Sequence, residues 1–268
     1  MDNIIKIKDL SFSYQDKQIF KNLNLNIKKN SFNSIIGPNG CGKSTLIKIL
    51  TGLINYEGYI SIDDCYLNKE NIKKIRRKIG VVFDDPDSSF IGETVIDDLA
   101  FNLENLTYSK NQITKEIKEI TDLFHLTDIL YEEPANLTNS TKQKVAIASA
   151  LIHKPKILLL DESLHQLTEK DKKIVFDAIN YYKKNYNLTI ILITHNEEDT
   201  LSSDRIIVLN NQKIYLDGSV KDVYKEERKL KTLGINIPFI IKLSLNLNLY
   251  DLIDEIYLTD KTLIDKLW

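Results

Sequence analysis

Nine residues in the first part of the sequence have the composition and spacing of a phosphate-binding loop. They fit the pattern G-x-x-x-x-G-K-[ST] and read Gly37-Pro38-Asn39-Gly40-Cys41-Gly42-Lys43-Ser44-Thr45. Glycine lets backbone N–H groups approach an anion, and the helix that follows directs its positive end at the same point. We expect Lys43 to reach the β- and γ-phosphates of a nucleotide and Ser44 to offer its hydroxyl to Mg²⁺.

Polar side chains also follow two apolar segments later in the chain. Asp161 and Glu162 come directly after the apolar run 157–160. An acid at this place in phosphate-loop NTPases holds Mg²⁺, and a second carboxylate beside it can orient or deprotonate the attacking water. His195 follows the apolar run 189–193, which favours a hydrogen bond to the γ-phosphate. The alternatives are a strand-end carboxylate that caps the next helix and a histidine with a structural role.

These side chains need a sheet that brings the ends of several strands together. Segments with a strand pattern alternate with helical segments, which is typical of a mainly parallel α/β sheet. The predicted strands cover residues 4–14, 23–27, 32–36, 58–62, 79–83, 157–160, 189–193, 205–209 and 213–217. The run 157–160 is apolar throughout, as in a central strand, whereas the strands before residue 63, apart from 32–36, alternate and predict a small β-rich section.

The helical segments divide the chain. Apolar residues recur with a helical period from about residue 93 to 152. We predict a nucleotide-binding domain over residues 1–218, with a helical insert over about 90–153, and a C-terminal helical extension over 219–268. Apolar residues within 238–268 indicate that the extension docks onto the core or onto a partner chain.

Composition restricts the function classes. The 268 residues carry a formal net charge of −2, so there is no electrostatic footprint for nucleic acid. No apolar run approaches the ~20 residues that span a bilayer, and the first residues lack the features of a signal peptide, so we expect a cytosolic chain. Two cysteines, Cys41 and Cys65, indicate no disulfide framework. We interpret Cys41 as a small residue that fits in the loop, with a redox role as the alternative.

The order of these motifs resembles the ATP-binding subunit of an ABC transporter. The resemblance also rests on Tyr14, the turn 84–87, the segment 137–144, the acids 161–162 and His195. Residues 82–101 and 230–243 are similar to the energy-coupling factor (ECF) type, whose members power the uptake of vitamins and other micronutrients such as metal ions. The resemblance implies an α/β protein with a P-loop NTPase (RecA-like) core, a small antiparallel β section, a helical insert and a C-terminal helical extension.

The resemblance further implies roles for single residues. Tyr14 would stack on adenine, and residues 37–45 would hold the phosphates of ATP. Asp161 would bind Mg²⁺, Glu162 would be the catalytic carboxylate and His195 would contact the γ-phosphate. ATP and Mg²⁺ are therefore the expected cofactors.

The same resemblance implies partners. Such subunits work as dimers, in which each ATP lies between the phosphate loop of one chain and the signature segment of the other. The helical insert and the turn 84–93 would contact coupling helices of a polytopic membrane subunit, which works with a separate substrate-binding membrane subunit. We therefore expect a peripheral protein at the cytoplasmic side of the cell membrane.

The signature segment departs from the family pattern Leu-Ser-Gly-Gly-Gln. Residues 137–141 read Leu-Thr-Asn-Ser-Thr. Asn139 and Ser140 place a Cβ where glycine backbone would approach the partner's γ-phosphate. Because the helix N-terminus and the hydroxyls of Thr138 and Ser140 remain, we expect weakened closure of the dimer rather than none.

Two loops near the expected catalytic carboxylates also differ from the family pattern. Asp84 stands where the family has a glutamine that touches Mg²⁺ and the attacking water. A carboxylate binds Mg²⁺ but donates no hydrogen bond when ionised, so Asp84 is a candidate catalytic residue and metal ligand. Residues 165–168 read His-Gln-Leu-Thr and lack the acid that usually crosses the dimer interface. The acidic run Asp84, Asp85 and Asp87 either pairs with arginines of the coupling helices or is a solvated turn.

The departures fall mostly on elements presented to a partner. They predict one half of a heterodimer with a paralogous ATPase, in which the two ATP sites are unequal. The alternatives are drift without consequence, a scaffold that binds ATP but hydrolyses it poorly, and a soluble ABC protein of translation or DNA repair. Members of the last class usually have two fused ATPase halves or a long coiled coil, and the sequence has neither.

Overall fold

The computed structural model describes residues 2–267, which form two β-sheets surrounded by helices. The strands are β1 (Asn3–Tyr14), β2 (Lys17–Lys28), β3 (Phe32–Ile36), β4 (Glu57–Ile62), β5 (Cys65–Tyr66), β6 (Ile79–Val82), β7 (Ile157–Asp161), β8 (Thr189–Ile193), β9 (Arg205–Asn210) and β10 (Lys213–Gly218). The α-helices are α1 (Lys43–Leu50), α2 (Ile72–Arg76), α3 (Val95–Asn105), α4 (Lys110–Phe124), α5 (Asn139–Leu151), α6 (Glu169–Tyr186), α7 (Val220–Lys225), α8 (Glu227–Thr232), α9 (Phe239–Leu249) and α10 (Asp260–Leu267). Within residues 2–267, every helix is too short or too polar to cross a membrane.

The larger sheet has the strand order β10-β9-β3-β8-β7-β6 and is parallel except for β10, which pairs antiparallel with β9. Strands β3, β7 and β8 are buried at every residue, as strands covered on both faces must be. The carboxyl ends of parallel strands meet at one edge of the sheet. That edge therefore carries the phosphate loop after β3, the two acids at the end of β7 and His195 after β8. The predicted α/β class is confirmed.

The core lies on both faces of this sheet. Leu158 and Leu160 of β7 pack into a cluster with α3, α4, α5 and α6. Ile157 and Leu159 point to the opposite face, where α1 and the smaller sheet cover them. Since side chains alternate along a strand, a run that is apolar throughout satisfies both clusters.

Truncation of a side chain in this core has a predictable cost. Leu159 is fully buried, so Leu159→Ala should lower the free energy of unfolding in urea by about 2–5 kcal/mol through lost burial and a residual cavity. Leu53 is exposed, and Leu53→Ala should change the free energy by less than about 0.5 kcal/mol. Equal effects of the two substitutions would contradict the assignment of β7 to the centre of the sheet.

The smaller sheet is antiparallel, with the order β2-β1-β4-β5. Tyr14 lies opposite Lys17, so a tight turn joins β1 to β2. For that reason β2 starts at Lys17 and not at the predicted residue 23. The prediction also omitted β5 and α2, which have two and five residues and are too short to show a period.

Helices α3, α4 and α5 occupy the segment in which a helical period was predicted. Thr94 and Ser109 begin α3 and α4 with capping boxes, in which the side chains of Asp97 and Gln112 reciprocate. The apolar sides of these helices pack with α6. The limits of the insert, about 90–153, and the division of the chain at residue 218 stay predictions.

A third hydrophobic cluster, here called the C-terminal cluster, joins the last four helices to the larger sheet. Ile36 of β3 and two residues of β9, Ile206 and Val208, contribute from the sheet. The helices contribute Val220, Val223, Tyr224, Leu230, Ile240, Ile241 and Leu263. Part of the predicted extension thus docks onto the core, whereas Phe239, Leu249, Tyr250 and Leu252 remain exposed and leave room for a partner chain.

Candidate nucleotide-binding and catalytic site

The phosphate loop is built so closely that two of its positions admit only glycine. Gly42 has φ 108°, and a Cβ there would lie 2.7 Å from the side chains of Ile19 and Phe20. A Cβ on Gly37 would lie 2.3 Å from the carbonyl oxygen of Leu209 in β9. The phosphate loop therefore packs between the hairpin of β1 and β2 on one side and the end of β9 on the other.

Lys43 is buried at the start of α1. Its Nζ donates hydrogen bonds to the carbonyl oxygens of Gly37 and Pro38, at 2.8 and 3.3 Å. No carboxylate within residues 2–267 forms an ion pair with it. A buried ammonium group that faces only loop carbonyls is placed to exchange them for phosphate oxygens.

Cys41 lies partly buried within the same loop. Burial raises the pKa of its thiol, against a smaller lowering by the charge of Lys43. A raised pKa leaves little thiolate, which is the reactive form. The geometry thus favours the interpretation of Cys41 as a residue that fills space beside Gly37.

Ser44 and Asp161 form the candidate metal site. Ser44 Oγ donates to Asp161 Oδ1 at 3.0 Å. Burial raises the pKa of Asp161, the bond from Ser44 opposes this, and the charges of Glu162 and Asp84 raise the pKa further. A hydroxyl and clustered carboxylates are hard oxygen ligands that fit Mg²⁺, whose charge would relieve their repulsion. The described residues hold no group of three His, Cys, Asp or Glu side chains arranged to hold a metal ion.

Glu162 and His195 face each other across neighbouring strands. His195 Nε2 lies 2.7 Å from Glu162 Oε1. The backbone N–H of Glu162 donates to the carbonyl oxygen of Ile193 at 2.9 Å, and its φ of 54° turns the side chain out of the strand line. The cap of α6 is Thr168, which accepts from the N–H of Asp171. The alternative that a strand-end carboxylate caps this helix is therefore excluded.

Asp84 lies in an exposed turn after β6, beside the loop that follows Glu162. Its Oδ1 lies 3.0 Å from His165 Nδ1, and its backbone carbonyl accepts from Gln166 Nε2 at 3.0 Å. The sequence indicated only that the segment 165–168 lacks an acid. It carried no signal for the contacts of His165 and Gln166 with Asp84, because they depend on the pairing of β6 with β7.

The expectation that the signature hydroxyls remain was wrong for Ser140 only. Ser140 is buried, donates its hydroxyl to Asp171 and accepts from the backbone N–H of Thr168, because α5 packs against the start of α6. Thr138 is exposed, and its Oγ1 caps α5 by accepting from the N–H of Thr141 at 3.3 Å. Asn139 alone is exposed at this helix N-terminus without such a bond. The expectation of weakened closure stays a prediction.

Tyr14 lies at the end of the hairpin that borders the phosphate loop. Its ring is 43% exposed and meets Phe12 edge to face, with 4.7 Å between centroids. Part of the side chain is therefore accessible to a base. Lys17, opposite Tyr14, has its Nζ 3.7 Å from the position of a Cβ on Gly40. This second cation beside the loop was missed, and only the hairpin register could have indicated it.

Two acids of the turn after β6 are engaged inside the chain. Asp87 forms an ion pair with Lys142 of α5 at 2.7 Å, and Asp84 contacts His165. Asp85 Oδ1 accepts from the N–H of Asp87 within the turn. The turn is thus tied to the signature helix and to the loop after Glu162, while its three acids remain exposed.

Known proteins with similar sequences indicate the family of this chain. The sequence profile of the ABC transporter family matches residues 20–165. The chain is 39% identical over 274 aligned residues to the energy-coupling factor transporter ATP-binding protein EcfA1 of Streptococcus pneumoniae serotype 2, with 100% of this chain and 99% of that protein covered. It is 38% identical to the corresponding protein EcfA of Pediococcus pentosaceus, with 95% and 90% covered.

Solved structures agree with the sequences. The structure of cbiO1 from Clostridium perfringens, part of the ABC transporter complex cbiONQ, superposes with a TM-score of 0.77 at 28% identity, covering 89% of this chain and 97% of that one. A dimeric ATP-binding cassette in a post-hydrolysis state with ADP and Pi gives a TM-score of 0.73 at 28% identity, covering 80% and 98%. This chain therefore belongs to the ABC transporter ATPases and, within them, to the ATP-binding subunits of energy-coupling factor transporters.

Proposed function

We propose that the chain is one ATPase half of a heterodimer in an ECF importer that takes up a vitamin or another micronutrient. The observation that carries this proposal is an uneven distribution of intact and altered motifs. The groups that would bind and hydrolyse the chain's own ATP lie together at one edge of the larger sheet. They are the phosphate loop, Asp161, Glu162 and His195. The segment offered to a partner, 137–141, has lost both glycines.

Each residue at this edge has a proposed role. Tyr14 stacks on adenine, and residues 37–45 wrap the phosphates, with Lys43 moving from its loop carbonyls to the β- and γ-oxygens. Ser44 and Asp161 would hold Mg²⁺, with Asp84 as a further ligand, and the bound ion would supply positive charge beside the transferred phosphoryl group. Glu162 takes a proton from the attacking water, and His195 donates to the γ-phosphate.

The proposed partners are a paralogous ATPase, a polytopic coupling subunit and a substrate-binding membrane subunit, at the cytoplasmic side of the cell membrane. Support comes from the names of the relatives and from cbiO1, which is part of a complex. A groove of about 590 Å³ between α2 and α3, lined by Arg77, Asn102 and His153 among others, offers a seat for a coupling helix. In the acidic turn, Asp84 contacts His165 and Asp87 pairs with Lys142. Asp85 is therefore the acid that we propose to pair with an arginine of the coupling helix.

Repair of the signature tests the unequal sites. In the reconstituted complex, Asn139→Gly removes an exposed Cβ from the surface offered to the partner's ATP. We expect ATP turnover to rise roughly fivefold, equivalent to about 1 kcal/mol. The control is Asn187→Gly, at a left-handed position after α6 that glycine accepts without strain. Unchanged turnover would favour the alternative of drift without consequence.

A scaffold that clamps ATP without splitting it is the second candidate. Asp84 and the altered signature favour it, whereas the contact between Glu162 and His195 disfavours it. A single-turnover measurement of the heterodimer separates the two functions. Release of Pi from the site that contains this chain's phosphate loop supports the ATPase, and bound ATP that persists supports the scaffold.

The family of the relatives disfavours the third alternative, a role in translation or DNA repair. Affinity purification of the full chain from membranes tests it. Recovery of a polytopic membrane protein supports the importer, and recovery of ribosomes or DNA without such a protein contradicts it.

A further inference from the structure

The loop after Glu162 makes three polar contacts around the turn that carries Asp84. His165 Nδ1 lies 2.6 Å from the carbonyl oxygen of Glu162 and 3.0 Å from Asp84 Oδ1. Gln166 Nε2 donates to the carbonyl oxygen of Asp84 at 3.0 Å. Two consecutive side chains of one loop thus hold both the backbone and the carboxylate of a single residue.

The chemistry of these contacts fixes the proton on His165. The carbonyl oxygen of Glu162 is an acceptor only, so Nδ1 must carry the hydrogen that this oxygen receives at 2.6 Å. The carboxylate of Asp84 lies at ion-pair distance from the same nitrogen. The imidazole therefore links the two strand ends that carry the candidate metal ligands.

Without this link the Asp84 side chain would have little to hold it. Its side chain is 60% exposed, and its carboxylate contacts no lysine or arginine in the part of the chain that the structure describes. Its charge nevertheless reaches Asp161, where it contributes to a raised pKa. Since Val82 of β6 pairs with Leu160 of β7, Asp84 and Glu162 follow neighbouring strand ends. The position of the Asp84 carboxylate therefore contributes to the negative charge around the metal site.

We infer that His165 is a positioning residue that fixes the Asp84 carboxylate beside Asp161 and thereby sets the affinity of the site for Mg²⁺. The inference rests on the proposed metal site at Ser44 and Asp161. It gives the His-Gln pair after Glu162 a function inside its own chain. A turn that carries aspartate in place of glutamine acquires a hydrogen-bond donor from the neighbouring loop.

The test is a double-mutant cycle on the full-length chain, measured by binding and not by turnover. ATP binding is followed by calorimetry at increasing Mg²⁺, in a Glu162→Gln background that limits hydrolysis. His165→Ala should raise the half-saturating Mg²⁺ concentration about two- to fivefold, the effect expected when one exposed contact of a charged group is lost. His165→Asn, which can place an N–H at the Nδ1 position, should recover most of this loss.

The Asp84→Asn background decides whether the effect passes through Asp84. There, His165→Ala should leave the half-saturating Mg²⁺ concentration unchanged, because the charge it positions is gone. An equal loss in both backgrounds, or no loss with Asp84 present, overturns the inference. Binding of ATP in EDTA should be the same for all four variants. Absence of ATP binding in the parent chain would instead contradict the proposed function.

Discussion

Glu162→Gln should lower ATP turnover of the reconstituted complex by about 10²–10³-fold. General-base catalysis contributes about 10²–10⁴-fold, and glutamine keeps the size of the side chain while removing the group that accepts the proton. In the structure this carboxylate is oriented by His195 at 2.7 Å and by a backbone bond to β8. The substitution removes the base without disturbing the fold around it.

The matched control is Glu169→Gln at the start of α6. Glu169 is 93% exposed at its side chain and lies outside the sheet edge that carries the site. We expect turnover to stay within about twofold of wild type, since an exposed pair contributes little. If Glu162→Gln also stayed in that range, the catalytic carboxylate would be a different residue, and Asp84 would be the next to examine.

Lys43→Ala should weaken ATP binding roughly 100-fold. A hydrogen bond to a charged group contributes about 1.5–3 kcal/mol, and 2.7 kcal/mol corresponds to about 100-fold in the dissociation constant. Lys43 is already desolvated in the free chain, where it bonds only to the carbonyls of Gly37 and Pro38. Little further cost is therefore expected when phosphate oxygens replace those carbonyls.

Titration of ATP and Mg²⁺ by calorimetry measures this effect. Lys184→Ala removes an equal charge from the exposed side of α6 and should leave the dissociation constant unchanged. A thermal melt of Lys43→Ala checks that the loop still folds. Affinity within threefold of wild type in a folded variant would show that Lys43 does not contact the nucleotide.

The elements that the sequence predicted well are those with a local signal. The phosphate loop is defined by residue types at fixed spacing, and the predicted strands 32–36 and 189–193 match β3 and β8 residue for residue. Both segments have only five residues and are followed by a turn or loop, which favours a buried strand over a helix. The sheet edge that unites Ser44, Asp161 and His195 follows from that assignment.

The details that the sequence did not predict depend on partners far along the chain. Gln166 contacts Asp84 across 82 positions, and Ser140 contacts Asp171 across 31. Periodicity carries no information on such pairs, since each depends on which strand or helix lies next to which. The expectation that Ser140 would offer its hydroxyl to a partner was wrong for this reason.

The C-terminal cluster has a practical consequence for any shortened version of the protein. Ile36, the residue before the phosphate loop, is buried there together with Ile206 and Val208 under residues of α7 and α9. A chain cut after Gly218 would leave this side of β3 and β9 uncovered, and a contiguous apolar patch of that kind promotes aggregation. We expect such a fragment to precipitate on expression, and limited proteolysis of the intact chain to spare residues 219–241 while ATP-binding capacity is retained.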